Sequence, residues 1–149
     1  MRIRIMIEGL SQRPGRLKQN KAAYVISCAL QNGKEATKSG FAEMEDATKQ
    51  EVVLSALLKA LQSFTKRSEI RIIIGDDQIR NTLLNGWPRK WEAAGWQTSR
   101  GEVKNAELWK AILEESDKHL VTYGLGLELN HEYKNWMHQE MERRLRGDL

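Results

Sequence analysis

The chain has 149 residues, 40% of them hydrophobic and 30% charged, with a formal net charge of +4, one cysteine, two prolines and five tryptophans. That length and balance argue against a multidomain assembly, a low-complexity polymer or a membrane bundle, and fit one compact domain with a sizeable core. No apolar run approaches the roughly 20 residues of a membrane span, and the opening Met-Arg-Ile-Arg-Ile-Met-Ile alternates where a secretory leader would be continuously apolar. Cys28 stands alone, which removes intrachain disulfides and cysteine zinc sites and fits a reducing cytoplasm.

In chain order, residues 2–8 alternate Arg2, Arg4 and Met6 with Ile3, Ile5 and Ile7, the period of a half-buried strand. A basic stretch with the turn pair Pro14-Gly15 leads to an apolar run over 22–30, the turn Asn32-Gly33 and a third strand over 35–42. From Thr48 the period changes: Val53, Leu54, Leu57, Leu58, Leu61 and Phe64 mark one apolar helical face, and Thr48 with Glu51 matches a capping box. Residues 70–74 predict a buried strand ending at Gly75-Asp76-Asp77, and 77–84 a short helix begun by those aspartates. Three tryptophans crowd residues 87–96, a helical pattern resumes over 106–113, a weak alternation follows over 121–127, and 131–146 is polar and helical. The order predicts a mixed sheet covered by helices.

The charge is unevenly placed. Residues 1–21 hold Arg2, Arg4, Arg13, Arg16, Lys18 and Lys21 against Glu8 alone, while the rest of the chain holds 18 basic and 19 acidic side chains. A local basic patch attracts phosphates, where the bland alternative is a solvated loop that keeps the chain soluble.

The segment from 87 to 109, W-P-R-K-W-E-A-A-G-W-Q-T-S-R-G-E-V-K-N-A-E-L-W, carries the Trp-x3-Trp-x4-Trp spacing and a Val-Lys-Asn-x-x-Leu-Trp run. With Ile7-Glu8-Gly9, Arg13-Pro14-Gly15, Ala23-Tyr24, Ala60-Leu61, Gly75-Asp76-Asp77-Gln78 and Asn135, it resembles the bacterial and retroviral ribonuclease H family along almost the whole chain. The resemblance implies a ribonuclease H-like α/β fold in a single domain over 1–149. Its five-stranded mixed sheet would have three antiparallel then two parallel strands, with helices on both faces. It also implies hydrolysis of the RNA strand of an RNA–DNA hybrid by two Mg²⁺ or Mn²⁺ ions held between four carboxylates.

Carried over, the first carboxylate falls on Glu8 and the third on Asp76, the two expected catalytic and metal-holding residues. The second falls on Val53, the last on Gln139 and the family histidine on Leu129, so a one-metal or metal-free site is expected. Glu51, Glu140 and His131 are the possible replacements, although Glu51 has the capping role and lies about 200° around the helix from Val53. His131 and His138, seven apart, are read as surface histidines.

Contacts to nucleic acid are expected from Arg13, Arg16, Lys18, Lys21, Thr48, Arg89 and Lys90. The handle between the second and third tryptophans, basic in the family, is here Glu92-Ala93-Ala94. Together these features imply a nucleic-acid-associated domain with absent or impaired hydrolysis. One alternative is an active endonuclease with rearranged ligands. The other is a non-catalytic scaffold with a protein interface over 87–96, where the tryptophans otherwise read as packing.

Overall fold

The computed structural model of the chain describes residues 2–10 and 19–145. Alternation along β1 (Arg2–Gly9) sends Ile3, Ile5 and Ile7 to one face of a sheet and Met6 and Glu8 to the other, all of them buried. β2 (Gln19–Ala29) and β3 (Glu35–Glu45) extend it as an antiparallel meander, with Ile5 opposite Ile26 and Tyr24 opposite Gly40. β3 runs three residues beyond the predicted end, keeping its ladder with β2 as far as Gln19 and Glu45.

α1 (Lys49–Gln62) crosses back over the isoleucine face, burying Val53, Leu54, Leu57 and Leu61 completely. β4 (Glu69–Ile74) then pairs with β1 in parallel, so that Ile70, Ile72 and Ile74 sit beside Ile3, Ile5 and Ile7. Burial of each such side chain stabilises the fold by about 1.5–3 kcal/mol before entropy is counted. α2 (Asp77–Leu84), α3 (Trp87–Ala93), a small hairpin of β5 (Gln97–Thr98) and β6 (Gly101–Glu102), and α4 (Ala106–Ser116) follow. α4 packs on α1, and β7 (Leu120–Tyr123) pairs in parallel with β4. The sheet order is β3-β2-β1-β4-β7, three antiparallel strands then two parallel ones, as expected.

The second face of the sheet belongs to α5 (His131–Leu145), whose Met137 and Met141 are fully buried on Met6, Ala23, Val25 and Ile73. Between β7 and α5 the structure departs from the weak alternation over 121–127. The carboxylate of Glu128 accepts a hydrogen bond from the Leu125 amide at 2.6 Å and takes the Arg71 guanidinium on both oxygens, at 2.7 and 2.9 Å. The chain therefore leaves the sheet and closes a 3₁₀ turn over Gly126–Glu128. The β5–β6 hairpin was also unanticipated, since two-residue strands leave no periodicity to read.

Candidate functional site

β1 lies where the antiparallel half of the sheet meets the parallel half, and the carboxyl ends of parallel strands such as β1 and β4 are where an open α/β sheet places a site. Both expected carboxylates are there. Glu8, the penultimate residue of β1, points to the α5 side and is only 7% exposed. Its carboxylate lies over Gly75, whose amide bonds the Ile7 carbonyl at 2.9 Å, and a Cβ placed on Gly75 would overlap Oε1 of Glu8. The bare glycine is therefore what lets the longer acid lie flat across the end of β4.

Asp76 follows at once and caps α2, its Oδ1 accepting from the Ile79 amide at 2.9 Å. The capping role and the site position coincide in one residue.

Two basic side chains that the sequence reading did not place here complete the cluster. His138, from α5, donates Nε2–H to Oε2 of Glu8 at 3.2 Å, which corrects its reading as a surface histidine. It stands one residue after Met137 and so lies on the rim of the buried face of α5. Gln139, where the last family carboxylate falls, is exposed.

Lys49, the first residue of α1, runs its stem over Gly9, with Cε 3.0 Å from where a Cβ on that glycine would sit. Its ammonium stands 3.8 Å from Oδ2 of Asp76. Val53 is also there, its Cγ2 2.8 Å from the same point, so the α1 position expected to bear the second carboxylate does face the end of β1 and is a hydrocarbon.

The proposed replacements are engaged elsewhere. Glu51 accepts a hydrogen bond from the Thr48 hydroxyl at 3.3 Å while its amide donates to that hydroxyl oxygen at 3.2 Å, so Thr48 caps α1 and holds the Glu51 carboxylate. Glu140 pairs with Arg143 at 2.6 Å, one turn along α5. His131 is exposed at the start of that helix.

Among the described residues no group of three or more His, Cys, Asp or Glu could hold a metal ion. The donor set does not fit two Mg²⁺ or Mn²⁺ ions, which need several hard oxygens converging on them. Glu8 is tied to His138, Asp76 is tied to a helix end and faces Lys49, and Val53 offers no donor.

The expected nucleic-acid contacts are divided. Arg13, Arg16 and Lys18 lie outside the described residues. Lys21 is a correction: it is buried, with its ammonium 3.1 Å from Glu43 on the neighbouring strand, and is removed from any basic surface. Thr48 spends its hydroxyl on the α1 cap. Arg89 is held by Glu92 at 3.2 Å and by Asp117, whereas Lys90 lies over the Trp87 ring at 4.6 Å.

The tryptophans form a ladder, Trp87 stacked on Trp91 and Trp91 edge-on to Trp109, with centroids 6.3 and 5.8 Å apart. Trp109 and Trp96 are buried, and Trp87, 45% exposed, is the outer rung. The ladder joins α3 to α4.

The family model for RNase H matches residues 11–124, a stretch that contains Val53 and Asp76. Ribonuclease H of Francisella tularensis subsp. novicida is 33% identical over 88 residues, 58% of this chain and 57% of that protein. Ribonuclease H of Methylococcus capsulatus is 25% identical over 89 residues, 59% and 57% of the two chains. The chain thus spans a little over half the length of these relatives.

Among solved structures, LC9-RNase H1, a type 1 RNase H with the type 2 active-site motif, superposes with a TM-score of 0.69 at 15% identity, covering 82% of this chain and 61% of that one. A foamy viral protease-reverse transcriptase in complex with dsDNA gives 0.62 at 13% identity, over 93% and 88%. The same kind of enzyme in complex with an RNA/DNA hybrid gives 0.57 at 13%, over 90% and 18%. At those identities the superpositions establish a shared fold.

Proposed function

The chain belongs to the ribonuclease H family, and from that premise we propose that it is a nucleic-acid-associated domain that engages RNA–DNA hybrid with absent or impaired hydrolysis. The observation that carries this reading is the pair Glu8 and Asp76 facing a hydrocarbon, Val53, and two basic side chains where further acids would be needed. Family members ordinarily work with divalent ions, and this donor set does not suit them.

What the chain's own residues do is hold and orient. Gly75 and His138 fix the Glu8 carboxylate, and the α2 cap fixes Asp76. Lys90, together with Arg13, Arg16 and Lys18, supplies positive charge to a phosphate backbone, a sequence-independent attraction that weakens with salt.

The test is direct: labelled RNA–DNA hybrid is incubated with the full chain and Mg²⁺ or Mn²⁺, beside Asp76→Asn. Binding that falls steeply with salt, without cleavage, is the expected result. Robust cleavage abolished by the substitution would establish an active endonuclease instead. A second reading, a protein-interaction scaffold, is favoured by the exposed outer tryptophan, Trp87, beside an arginine already neutralised by Asp117 and Glu92. Absence of hybrid binding even at low salt would select it.

A further inference from the structure

We propose that Lys49 takes over, from within the chain, the positive charge that divalent ions bring to such a centre, so that the cluster excludes these ions and receives a phosphodiester at the lysine ammonium. This inference rests on the reading of the chain as a nucleic-acid-associated domain and names how its central site meets the ligand.

The placement of Lys49 is built rather than incidental. A cation in the first turn of a helix opposes the helix dipole, an arrangement disfavoured by itself. Here it is held by two neighbours: Gly9, whose missing side chain leaves the channel that the lysine stem fills, and Asp76, whose Oδ2 faces the ammonium. Lys49 and Val53 are four residues apart, hence on one face of α1, and both press on Gly9. One turn of helix thus replaces an acid by a hydrocarbon and adds a base beside it. The change is coherent, because an acid at 53 would compete with Asp76 for the ammonium.

The same geometry leaves Lys49 able to bind. At 3.8 Å it is an ion-pair partner of Asp76 beyond hydrogen-bond distance, and its side chain is 42% exposed, so its N–H donors are available to phosphate oxygens. On the other side of the cluster, His138 occupies Oε2 of Glu8. A divalent ion at this centre would meet the Lys49 charge beside Asp76 and the imidazole on Glu8, and would gain two carboxylates, too few hard ligands for a tight site.

The experiment uses the full chain in two measurements. Mn²⁺ binding is followed by electron paramagnetic resonance for the native chain, Lys49→Met and Lys49→Glu. Expected are no specific Mn²⁺ site in the native chain and a gained site in Lys49→Glu, where an acid would stand beside Asp76. Native binding of Mn²⁺ that Asp76→Asn removes would overturn the proposal.

In parallel, fluorescence anisotropy with labelled RNA–DNA hybrid is run in EDTA and in Mg²⁺. Affinity should agree within about twofold between the two conditions, fall by about tenfold in Lys49→Met and return in Lys49→Arg, with the salt slope reduced by about one in Lys49→Met. Hybrid binding that requires Mg²⁺, or that is untouched in Lys49→Met, would overturn the proposal. Circular dichroism melts confirm that each variant is folded. Loss of all hybrid binding in the native chain would overturn the broader functional reading and the phosphate role together, while the Mn²⁺ series still decides whether the cluster excludes metal.

Discussion

The tryptophan ladder between α3 and α4 and the charged cluster at the ends of β1 and β4 belong to one fold, yet they respond differently to changes of sequence. In the ladder, Trp87, Trp91 and Trp109 meet through ring faces and edges, and Val103 and Ala106 are buried alongside. Removing any inner ring leaves a hole. In the cluster, the backbone frame survives, with Gly9, Gly75 and the α2 cap in place, while Val53 and Gln139 stand where the family's acids fall and Lys49 and His138 lie against the two acids that are left. Packing requires a ring of a given size at a given point, whereas a frame of strand ends accepts any side chain that satisfies its neighbours.

That contrast can be broken most decisively at Trp109, which is 1% exposed: Trp109→Ala should cost about 3–5 kcal/mol in urea unfolding. A loss below about 1 kcal/mol would show that the ladder is not structural. Next comes Gly75→Ala, where the new methyl meets the Glu8 carboxylate and should cost about 1–3 kcal/mol. Combining it with Glu8→Ala should recover much of that loss, and additivity of the two would refute the contact between them.

Asp76→Ala should cost about 0.5–2 kcal/mol through the lost cap, with Asp76→Asn close to native in stability. Equal losses in the two would assign the effect to charge rather than capping.

The smallest effect tests a region outside both. Arg71 and the Leu125 amide hold the Glu128 carboxyl down to about 2 from its ordinary 4.5. A group whose folded pKa is depressed stabilises the fold above its unfolded value and loses that contribution as pH falls, here between about 4.5 and 2. The partly exposed pair should contribute modestly, and acid titration of Arg71→Met by circular dichroism should show that part of the dependence removed.

Much of the fold was legible because its signals are local or motif-like. Alternation in β1, the apolar face of α1 and the Asp76-Asp77 start of α2 each predict their elements closely. The tryptophan spacing led to the correct architecture.

Of the candidate site, the positions of some residues were legible. Glu8, Asp76 and Val53 stand where the resemblance put them, because strand ends and helix faces are fixed by burial. His138 was missed since its meeting with Glu8 depends on the register of α5, and a polar helix anchored by Met137 and Met141 gives little periodicity to set that register. Lys49 did carry a signal: a cation in the first helical turn, four residues before the missing acid. Lys21 misled because net charge counts a buried ion pair as though it were surface.

The contact between Glu8 and His138 spans 130 residues, joining β1 to α5. During synthesis from the N-terminus, β1 to β4 and α1 are made before α5, so the acid has no partner until α5 follows. Docking of α5 on the sheet and formation of the Glu8–His138 contact are therefore one and the same step. In the finished protein the link runs both ways: a fluctuation that lifts α5 from the sheet also strips Glu8 of its imidazole, and local opening of this helix, read by amide hydrogen exchange, reports on the integrity of the centre at the far end of the sequence.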